Sequence, residues 1–347
     1  MYHFIINPNS RSGAGARIWS ELQSVLDKNY IPYKAYFTEY PGHAVKLAAS
    51  VCSSDAAPAS ICLVAVGGDG TIQEVLSGIP SLRSVRFGYI PTGSGNDFCR
   101  SMQLPQNPLD ALDAILSEAA CTPMDVAEFT ANGQSCRFAI SCGIGFDAAV
   151  CHEINRSPLK KFMNRIHLGK FAYLLIGLKQ LLLLPPVGIS IETENGEKHF
   201  YEKVFLTAVM NHKYEGGGFR FCPEADSHDG FLDVIIVEGM RRPALIFCLF
   251  LSIFGKHTVF RGVHQFAAKR SPCAAQSPCR TQRRRICRYL QKLQPPWQKI
   301  LSRSSCPANQ SVKSIEFLAQ LIAAINVLRP PLPGRLDAQP MIPQRSL

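Results

Sequence analysis

A glycine-rich segment, "LVAVGGDGTIQEVL" (63–76), holds the first residues whose types and spacing could do chemistry. Its glycines, at positions 67, 68 and 70, let backbone N–H groups approach phosphate oxygens with no Cβ in the way. Thr71 can cap the following helix or donate its hydroxyl to a phosphate. Asp69 would repel a bare phosphate, so it indicates a bridging cation, for which Mg²⁺ is the natural choice. A glycine turn capped by an aspartate is the structural alternative.

A second segment, "IPTGSGNDFCR" (90–100), repeats this combination of residues. Thr92 and Gly93 offer hydroxyl and amide donors, and Asp97 places a second carboxylate at the start of a predicted helix. Helix capping alone is the alternative for this segment. The chain contains neither GxGxxG nor GxxxxGK[ST], which argues against a dinucleotide dehydrogenase or a P-loop enzyme.

A third segment, "GGGFRFCPEADSHDGFLDV" (216–234), is rich in carboxylates. Asp226, Asp229 and Asp233 lie around a predicted turn, where carboxylate and carbonyl oxygens can hold a hard cation. The segment is not an EF-hand, because the D-x-D-x-D-G spacing and the closing Glu are missing. A solvated acidic turn is the alternative.

The elements that position these segments change character along the chain. Residues 1–125 alternate predicted strands with helices of 8–13 residues, and "ICLVAV" (61–66) is apolar throughout, as in a buried parallel strand. The loops at 7–13, 67–71 and 91–97 all follow predicted strands, so we expect them to meet at the carboxyl edge of one sheet. The first domain is therefore predicted to be an α/β nucleotide-binding domain.

Residues 126–265 read as a mainly antiparallel β domain. Asn132-Gly133 and Asn195-Gly196 are hairpin signals between alternating segments, and helices are expected near 158–184 and 243–254. No stretch reaches the roughly 18 apolar residues of a membrane span. The longest candidates, "YLLIGLKQLLLLPP" (173–186) and "ALIFCLFLSIFG" (244–255), are interpreted as helices that pack on protein. The N-terminal sequence does not resemble a signal peptide, so we expect a cytoplasmic protein.

Residues 266–347 form an atypical basic tail. Residues 1–265 carry 23 Lys and Arg against 24 Asp and Glu, whereas the tail carries 14 against two, so the whole net charge of +11 comes from the tail. A basic tail can bind nucleic acid, but this one contains no recognisable nucleic-acid-binding module, so we do not expect nucleic acid as a partner. Only "SVKSIEFLAQLIAAINVL" (311–328) looks helical.

The ordered set of motifs resembles the bacterial diacylglycerol kinase and sphingosine kinase-like lipid kinases. "NPNS", "VAVGGDGTIQEVLSGI", "GYIPTGSGNDFCR", "MDVAEF", "SCGIGFDA", "GKFAYLL", "GGGFRFCPEADSHDGFLDVIIVEG" and "GKHTVFRGV" occur in the order seen in that family. GGDGT alone is shared with NAD kinases, but the NDF loop and the PEADxxDGxLD turn separate the two families. The resemblance spans residues 2–265. It implies an α/β domain like those of NAD and diacylglycerol kinases, an antiparallel β-sandwich domain, and ATP in the cleft.

The resemblance also implies roles for individual residues. Asp229 matches the side-chain ligand of a structural Mg²⁺, with Asp226 and Phe231 contributing to the same site through backbone carbonyls, while Asp69 and Asp97 match acids tied to that metal through waters. Gln73 stands where the family often has Asn. The positions that match ATP contacts are Asn7, Pro8, Asn9, Ser10, Thr38, Gly67, Gly68, Asp69, Gly70, Thr71, Ile72 and Thr92.

The family's catalytic base belongs to a late D-G-E motif, which is absent after residue 265, so no catalytic residue is assigned. One hypothesis is a frameshift shortly after residue 265, since codons exist for residues 277–288 that spell a D-G-E in another frame. The family's C-terminal segment closes the cleft, so we expect this chain to fold poorly or to lack kinase activity, although the intended gene product is a kinase.

The leading hypothesis is an ATP- and Mg²⁺-dependent kinase that phosphorylates diacylglycerol or a related lipid alcohol. The alternative is a catalytically impaired nucleotide-binding protein without the base motif. A lipid substrate implies a peripheral location at the inner face of the membrane. Lys160, Lys161 and Arg165 could form a docking face there, although an ordinary packed helix is the simpler interpretation of that segment. The sequence leaves a homodimer open.

Overall fold

A parallel sheet forms the centre of the N-terminal half of the chain. The computed structural model describes residues 1–54, 61–117, 121–131, 134–145, 150, 153, 169–192, 198–269 and 325–328. Four parallel strands are ordered β2-β1-β3-β4. Their bounds are β1 Tyr2–Ile6, β2 Tyr33–Phe37, β3 Cys62–Gly67 and β4 Arg86–Pro91. Every residue of β3 is buried, as its continuous apolar sequence predicts.

Helices cover both faces of this sheet. Their bounds are α1 Ser10–Lys28, α2 His43–Ser54, α3 Asp69–Gly78, α4 Asp97–Ser101 and α5 Pro108–Leu116. Side chains alternate along the central strands, so Phe4 and Val64 join the core beneath α1 and α5, whereas Ile5 and Leu63 join the core beneath α2 and α3. Because the four strands are parallel, the loops that leave β1, β3 and β4 share one edge of the sheet.

The second half of the chain is antiparallel. One sheet contains β7 Ser141–Gly145, β8 Val187–Glu192, β9 Lys198–Met210, β10 Phe231–Glu238 and β11 Val263–Lys269, in the order β11-β10-β9-β7 with β8 also paired to β9. The other contains β5 Val126–Ala131 and β6 Gln134–Phe138. A core that includes Phe129, Phe138 and Val234 lies between the two sheets. The predicted fold class, an α/β domain followed by an antiparallel β-sandwich, is confirmed.

Two further helices pack on the larger antiparallel sheet. They are α6 Gly169–Leu183 and α7 Arg242–Ile253. Leu181 of α6 and Leu245 and Leu249 of α7 join Ile235 in one buried cluster. No helix in the described ranges is long and apolar enough to cross a membrane. The proposed docking residues Lys160, Lys161 and Arg165 lie outside those ranges.

One local prediction in the tail is wrong. Residues 325–328, predicted as the end of a helix, form strand β12 (Ile325–Leu328), which pairs antiparallel with β5 from Ile325 opposite Phe129 to Leu328 opposite Val126. Two of its four residues, Ile325 and Val327, are β-branched, and β5 offers an edge that β6 does not occupy. The rest of the predicted helix lies outside the described residues.

Candidate active site

Glycines hold the loops after β3 and β4 against each other. A Cβ on Gly93 would lie 2.6 Å from the Cα of Gly68, and a Cβ on Gly67 would lie 2.2 Å from the Thr71 hydroxyl oxygen. The N–H of Thr92 donates to the carbonyl of Gly67 at 2.8 Å. These glycines are therefore required by the packing of the loops themselves. Gly70 differs, because a Cβ there would meet nothing within 4 Å.

The loop after β1 joins the same edge through side chains. Ser10 Oγ and Thr92 Oγ1 share a buried hydrogen bond of 2.7 Å, and Asn7 Nδ2 donates to Thr71 Oγ1 at 3.3 Å. The side-chain Oδ1 of Asn7 accepts the N–H of Asn9 at 3.1 Å, which fixes the turn. Hydroxyl and amide groups from three separate loops thus converge at the carboxyl edge of the sheet.

Three other positions predicted to contact ATP have different surroundings. Thr38 follows β2 and is buried, with its N–H donating to the carbonyl of Ile6 at 2.8 Å. The carbonyl of Pro8 accepts the N–H of Ala16 at 3.2 Å, so Pro8 ties the loop to α1. The side chain of Ile72 is fully buried in the core beneath α2 and α3. Ile72 therefore offers only its backbone to this edge.

Arg11 also belongs to this edge, although the sequence patterns did not single it out. Arg11, Ser12 and Gly13 have positive φ angles of 45°, 58° and 97°, a conformation that costs free energy for the first two. The turn brings Arg11 Nε within 3.0 Å of the carbonyl oxygen of Gly93. Its only signal in the sequence is a cation inside a polar glycine-containing loop after a strand.

Asp69 caps a helix other than the one it begins. Its Oδ2 accepts the N–H of Asp97 at 3.1 Å and its Oδ1 accepts the N–H of Phe98 at 3.2 Å, both at the start of α4. Burial raises the pKa of the Asp69 carboxyl, although these hydrogen bonds and the Arg100 charge act to lower it. Asp69 therefore does act as a helix cap, but it caps α4 in the loop after β4 and not its own helix α3.

Asp97 connects the two halves of the chain. Its Oδ1 lies 2.6 Å from Arg100 Nη1, and its Oδ2 accepts the N–H of Gly217 at 2.7 Å. The Arg100 guanidinium also lies over the Tyr214 ring, 5.6 Å from its centroid, and Arg220 lies at the same distance. The turn after β9 is thus fixed against α4 by a carboxylate that is almost completely buried.

The predicted metal turn brings Asp229 close to a carboxylate that the sequence patterns did not single out. Asp125 is fully buried, and its Oδ2 accepts the N–H of Gly230 at 2.7 Å. Asp229 Oδ1 accepts the N–H of Phe231 at 2.8 Å. Burial raises the pKa of Asp229, and the charges of Asp226 and Asp125 raise it further. Asp125 is about one hundred residues from this turn in sequence, so no spacing pattern could have linked them.

The side chain of Asp226 is already engaged. Its Oδ1 accepts the N–H of His228 at 3.0 Å and lies 2.9 Å from His228 Nδ1. Burial acts to raise the pKa of Asp226, but the His228 hydrogen bonds together with the charges of His228 and Lys213 outweigh it, and the pKa is lowered. This side chain is thus occupied within the turn, as expected if Asp226 offers a backbone carbonyl to a cation.

The structure forms two acidic groups among the predicted residues. Asp69 and Asp97 meet at the start of α4, whereas Asp226 and Asp229 lie near Asp125. His212 lies near both groups, with its ring centroid 5.4 Å from that of Phe98. Burial lowers the pKa of His212, the His228 charge lowers it further, and the Asp226 charge raises it. Within the described ranges, no cluster of three or more His, Cys, Asp or Glu side chains is arranged to hold a metal ion. The tail in which a D-G-E base was sought is described only at 266–269 and 325–328.

Two protein-family models match this chain. The model of the diacylglycerol kinase catalytic domain matches residues 1–129, and that of the YegS C-terminal NAD kinase beta sandwich-like domain matches residues 140–282. The two models therefore cover the α/β half and the antiparallel half in turn.

Individual relatives agree with the domain models. The chain is 30% identical over 275 residues to the Bacillus subtilis protein named "Putative lipid kinase YtlR", covering 77% of this chain and 87% of that relative. It is 30% identical over 268 residues to a diacylglycerol kinase of Staphylococcus saprophyticus, covering 76% and 82%. A crystal structure titled as a "putative diacylglycerol kinase" from Bacillus anthracis superposes with a TM-score of 0.58 at 25% identity, covering 77% and 83%. The chain therefore belongs to the diacylglycerol kinase family of lipid kinases.

Proposed function

We propose that this chain is built to transfer the γ-phosphoryl group of ATP to the hydroxyl of diacylglycerol or a related lipid alcohol at a membrane surface. The observation that carries the proposal is the convergence of the loops after β1, β3 and β4 with two fixed carboxylates, Asp69 and Asp97, in a member of a lipid kinase family. Phosphoryl transfer depends mainly on such positioning of donors and charges.

The start of α3 supplies the proposed phosphate donors. The N–H groups of Asp69 and Gly70 have no acceptor within their own helix, and the helix dipole favours an anion there. Gly70 is exposed and faces open space, so a phosphate can approach its backbone. The hydroxyls of Ser10 and Thr92 lie at the same edge. Together with Thr38 these groups are the proposed ATP contacts.

Mg²⁺ is proposed at the turn between residues 226 and 231. Asp229 and the carbonyls of Asp226 and Phe231 would hold it, and the buried Asp125 adds negative charge beside them. Burial is the main cause of the raised pKa of Asp229, and the charges of Asp226 and Asp125 add to it; a cation would relieve this repulsion among the carboxylates. When bound, Mg²⁺ supplies charge neutralisation for phosphoryl transfer.

The reaction requires a new bond between the lipid hydroxyl oxygen and the γ-phosphorus while the bond to the β–γ bridging oxygen breaks. The hydroxyl proton must leave to a base, and Asp97 is poorly placed for that role because hydrogen bonds from Arg100 and Gly217 engage both of its oxygens. We assign Asp69 and Asp97 to positioning the start of α4 and the turn at Gly217.

A transfer assay tests the proposal. The full chain is incubated with γ-labelled ATP, Mg²⁺ and diacylglycerol in mixed micelles, and the label in the lipid phase is counted. Label in the lipid would support the proposal and overturn the sequence-based expectation that this chain is inactive; turnover should then be reduced in Asp97→Asn and retained in the exposed control Asp113→Asn. Absence of lipid label from a folded chain would count against kinase activity in this chain.

Nucleotide binding without transfer is the second candidate. It is favoured by one observation, the absence of a D-G-E sequence from residues 266–347. Binding of a labelled ATP analogue with no lipid label in the same preparation would support it. Sequencing the gene separates the explanations, because a second reading frame that encodes D-G-E would support the frameshift hypothesis and one full of stop codons would reject it.

A further inference from the structure

Helix α7 has an unusual solvent-facing side. One side buries Leu245, Cys248, Leu249 and Ser252 against the protein. The other exposes an apolar group, here called the α7 patch: Phe247, Phe250, Ile253 and Phe254. Phe247 is 59% exposed and Phe254 is 65% exposed, although such rings are usually buried. The sequence predicted that this helix packs on protein, which holds for only one of its sides.

The spacing of these residues makes the patch continuous. Positions 247, 250 and 254 are three and four residues apart, so their rings lie along one face of the helix. Phe260, beyond the helix, contacts the ring of Phe247 edge-on, with the two ring centroids 6.1 Å apart. The neighbouring Val259 is also exposed. The guanidinium of Arg242 holds the start of α7 beside the end of α6 by donating to the carbonyl of Leu184 at 2.6 Å. Grouped exposed aromatics of this kind mark an interaction surface.

The Lys and Arg residues that flank α7 in the sequence give this segment a positive charge. Arg241 precedes α7, and Lys256 and Arg261 follow it, and all three are exposed. The chain contains no Asp or Glu between Glu238 and Glu316. A second copy packed symmetrically on this patch would bring these cations near their own counterparts with no carboxylate from this segment between them. An anionic lipid surface complements both the rings and the cations.

The geometry points to α7 as an interfacial helix that lies on an anionic bilayer, and this inference rests on the proposed lipid kinase function. A helix of 12 residues is about 18 Å long, well short of the roughly 30 Å hydrocarbon core, so it lies in the interface rather than spanning it. The three phenylalanines enter the headgroup region, and Arg241, Lys256 and Arg261 contact lipid phosphates. The bilayer then holds the lipid alcohol beside the β-sandwich half of the chain.

Vesicle flotation without nucleotide tests the inference. The full chain is expected to float with vesicles that contain phosphatidylglycerol and to float poorly with pure phosphatidylcholine. The variant Phe247→Gln/Phe250→Gln/Phe254→Gln should bind anionic vesicles at least about tenfold more weakly, because three rings no longer enter the interface. The double variant Arg241→Gln/Lys256→Gln should lose most of the preference for anionic lipid.

Two further variants test whether misfolding, rather than loss of the patch, weakens vesicle binding. Tyr30→Gln replaces a ring that is 93% exposed in the other half of the chain and should leave flotation unchanged. Phe250→Gln/Phe254→Gln preserves the contact between Phe247 and Phe260, and should still weaken binding while keeping the thermal unfolding midpoint. Equal flotation of the triple variant and the unaltered chain would overturn the inference.

The same proteins separate this inference from its alternatives. A dimer that becomes a monomer in the triple variant, seen by sedimentation equilibrium, would assign the patch to a second copy and overturn the membrane assignment. Vesicle binding does not require ATP. Binding without phosphoryl transfer would therefore reject the kinase proposal and still support the α7 patch as a membrane-binding surface. Transfer to a dispersed short-chain diacylglycerol by a chain that binds no vesicles would support the kinase proposal and reject the membrane assignment of the α7 patch.

Discussion

The carboxylate of Asp97 accepts the N–H of Gly217 at 2.7 Å across 120 residues of sequence. The same carboxylate pairs with Arg100, whose guanidinium lies over the Tyr214 ring. One side chain at the start of α4 therefore binds the turn at Gly217, which precedes the predicted metal-binding residues at 226–231. That contact joins this turn to the proposed nucleotide loops.

Replacing Asp97 should destabilise the chain. Asp97→Ala leaves the Gly217 N–H and the Arg100 guanidinium without this acceptor, and we expect a loss of about 2 kcal/mol in the free energy of unfolding. Asp97→Asn keeps one acceptor oxygen and should lose about half as much. Urea denaturation measures both. Asp113→Ala, at an exposed position on α5, should stay within about 0.5 kcal/mol of the unaltered chain. An equal loss of unfolding free energy in that control would show that the effect does not come from the contacts of Asp97.

Gly70 and Gly93 should respond differently to alanine. Gly70→Ala should keep or slightly raise stability, because its Cβ points into open space, yet lower the affinity for an ATP analogue at least about tenfold by blocking the proposed phosphate approach. Gly93→Ala should lower stability by about 2 kcal/mol, because its Cβ collides with the Gly68 backbone. Thermal unfolding and calorimetric titration distinguish the two effects. Unchanged affinity in Gly70→Ala would place the phosphates elsewhere.

The hydroxyl pair of Ser10 and Thr92 should contribute to both stability and binding. Thr92→Val removes the partner of a buried hydroxyl and should cost about 1–2 kcal/mol of unfolding free energy, with weaker binding of an ATP analogue. Thr92→Ser preserves the hydroxyl and is the matched control. Denaturant titration and equilibrium binding measure the two quantities. If the valine and serine variants bind the analogue equally, Thr92 is not an ATP contact.

His212 should make the fold sensitive to acid. Burial, with a smaller contribution from the His228 charge, lowers the pKa of His212 to about 4. The unfolded chain therefore binds a proton more readily between pH 6.5 and 4, and stability falls as the pH falls through that window. His212→Gln should remove about 2 kcal/mol of the loss between pH 7 and pH 4.5.

Denaturant titrations at several pH values test the His212 prediction. His199→Gln, at an exposed position on β9, is the control and should follow the unaltered chain. Superimposable pH profiles for the unaltered chain and His212→Gln would show that the buried imidazole does not determine acid stability.

Much of the fold could be predicted because the signals are local. The apolar run of β3 indicated a buried parallel strand, and the change to alternating segments after residue 121 indicated an antiparallel half. Strand β12 was missed because four residues carry little periodicity, and their conformation depends on the open edge of β5. The exposed side of α7 was missed because an apolar segment does not show how many of its faces are covered.

The sequence alone determined the family, the two-part architecture and the types of residue at the strand ends, because motifs and hydropathy are encoded locally. Only the tertiary structure decided that Gly67 and Gly93 serve loop packing, that Asp69 caps α4, and that Asp125 reaches the turn at Gly230. These relationships join segments far apart in the chain. They follow from strand order, register and side-chain packing over the whole fold, which no local spacing specifies.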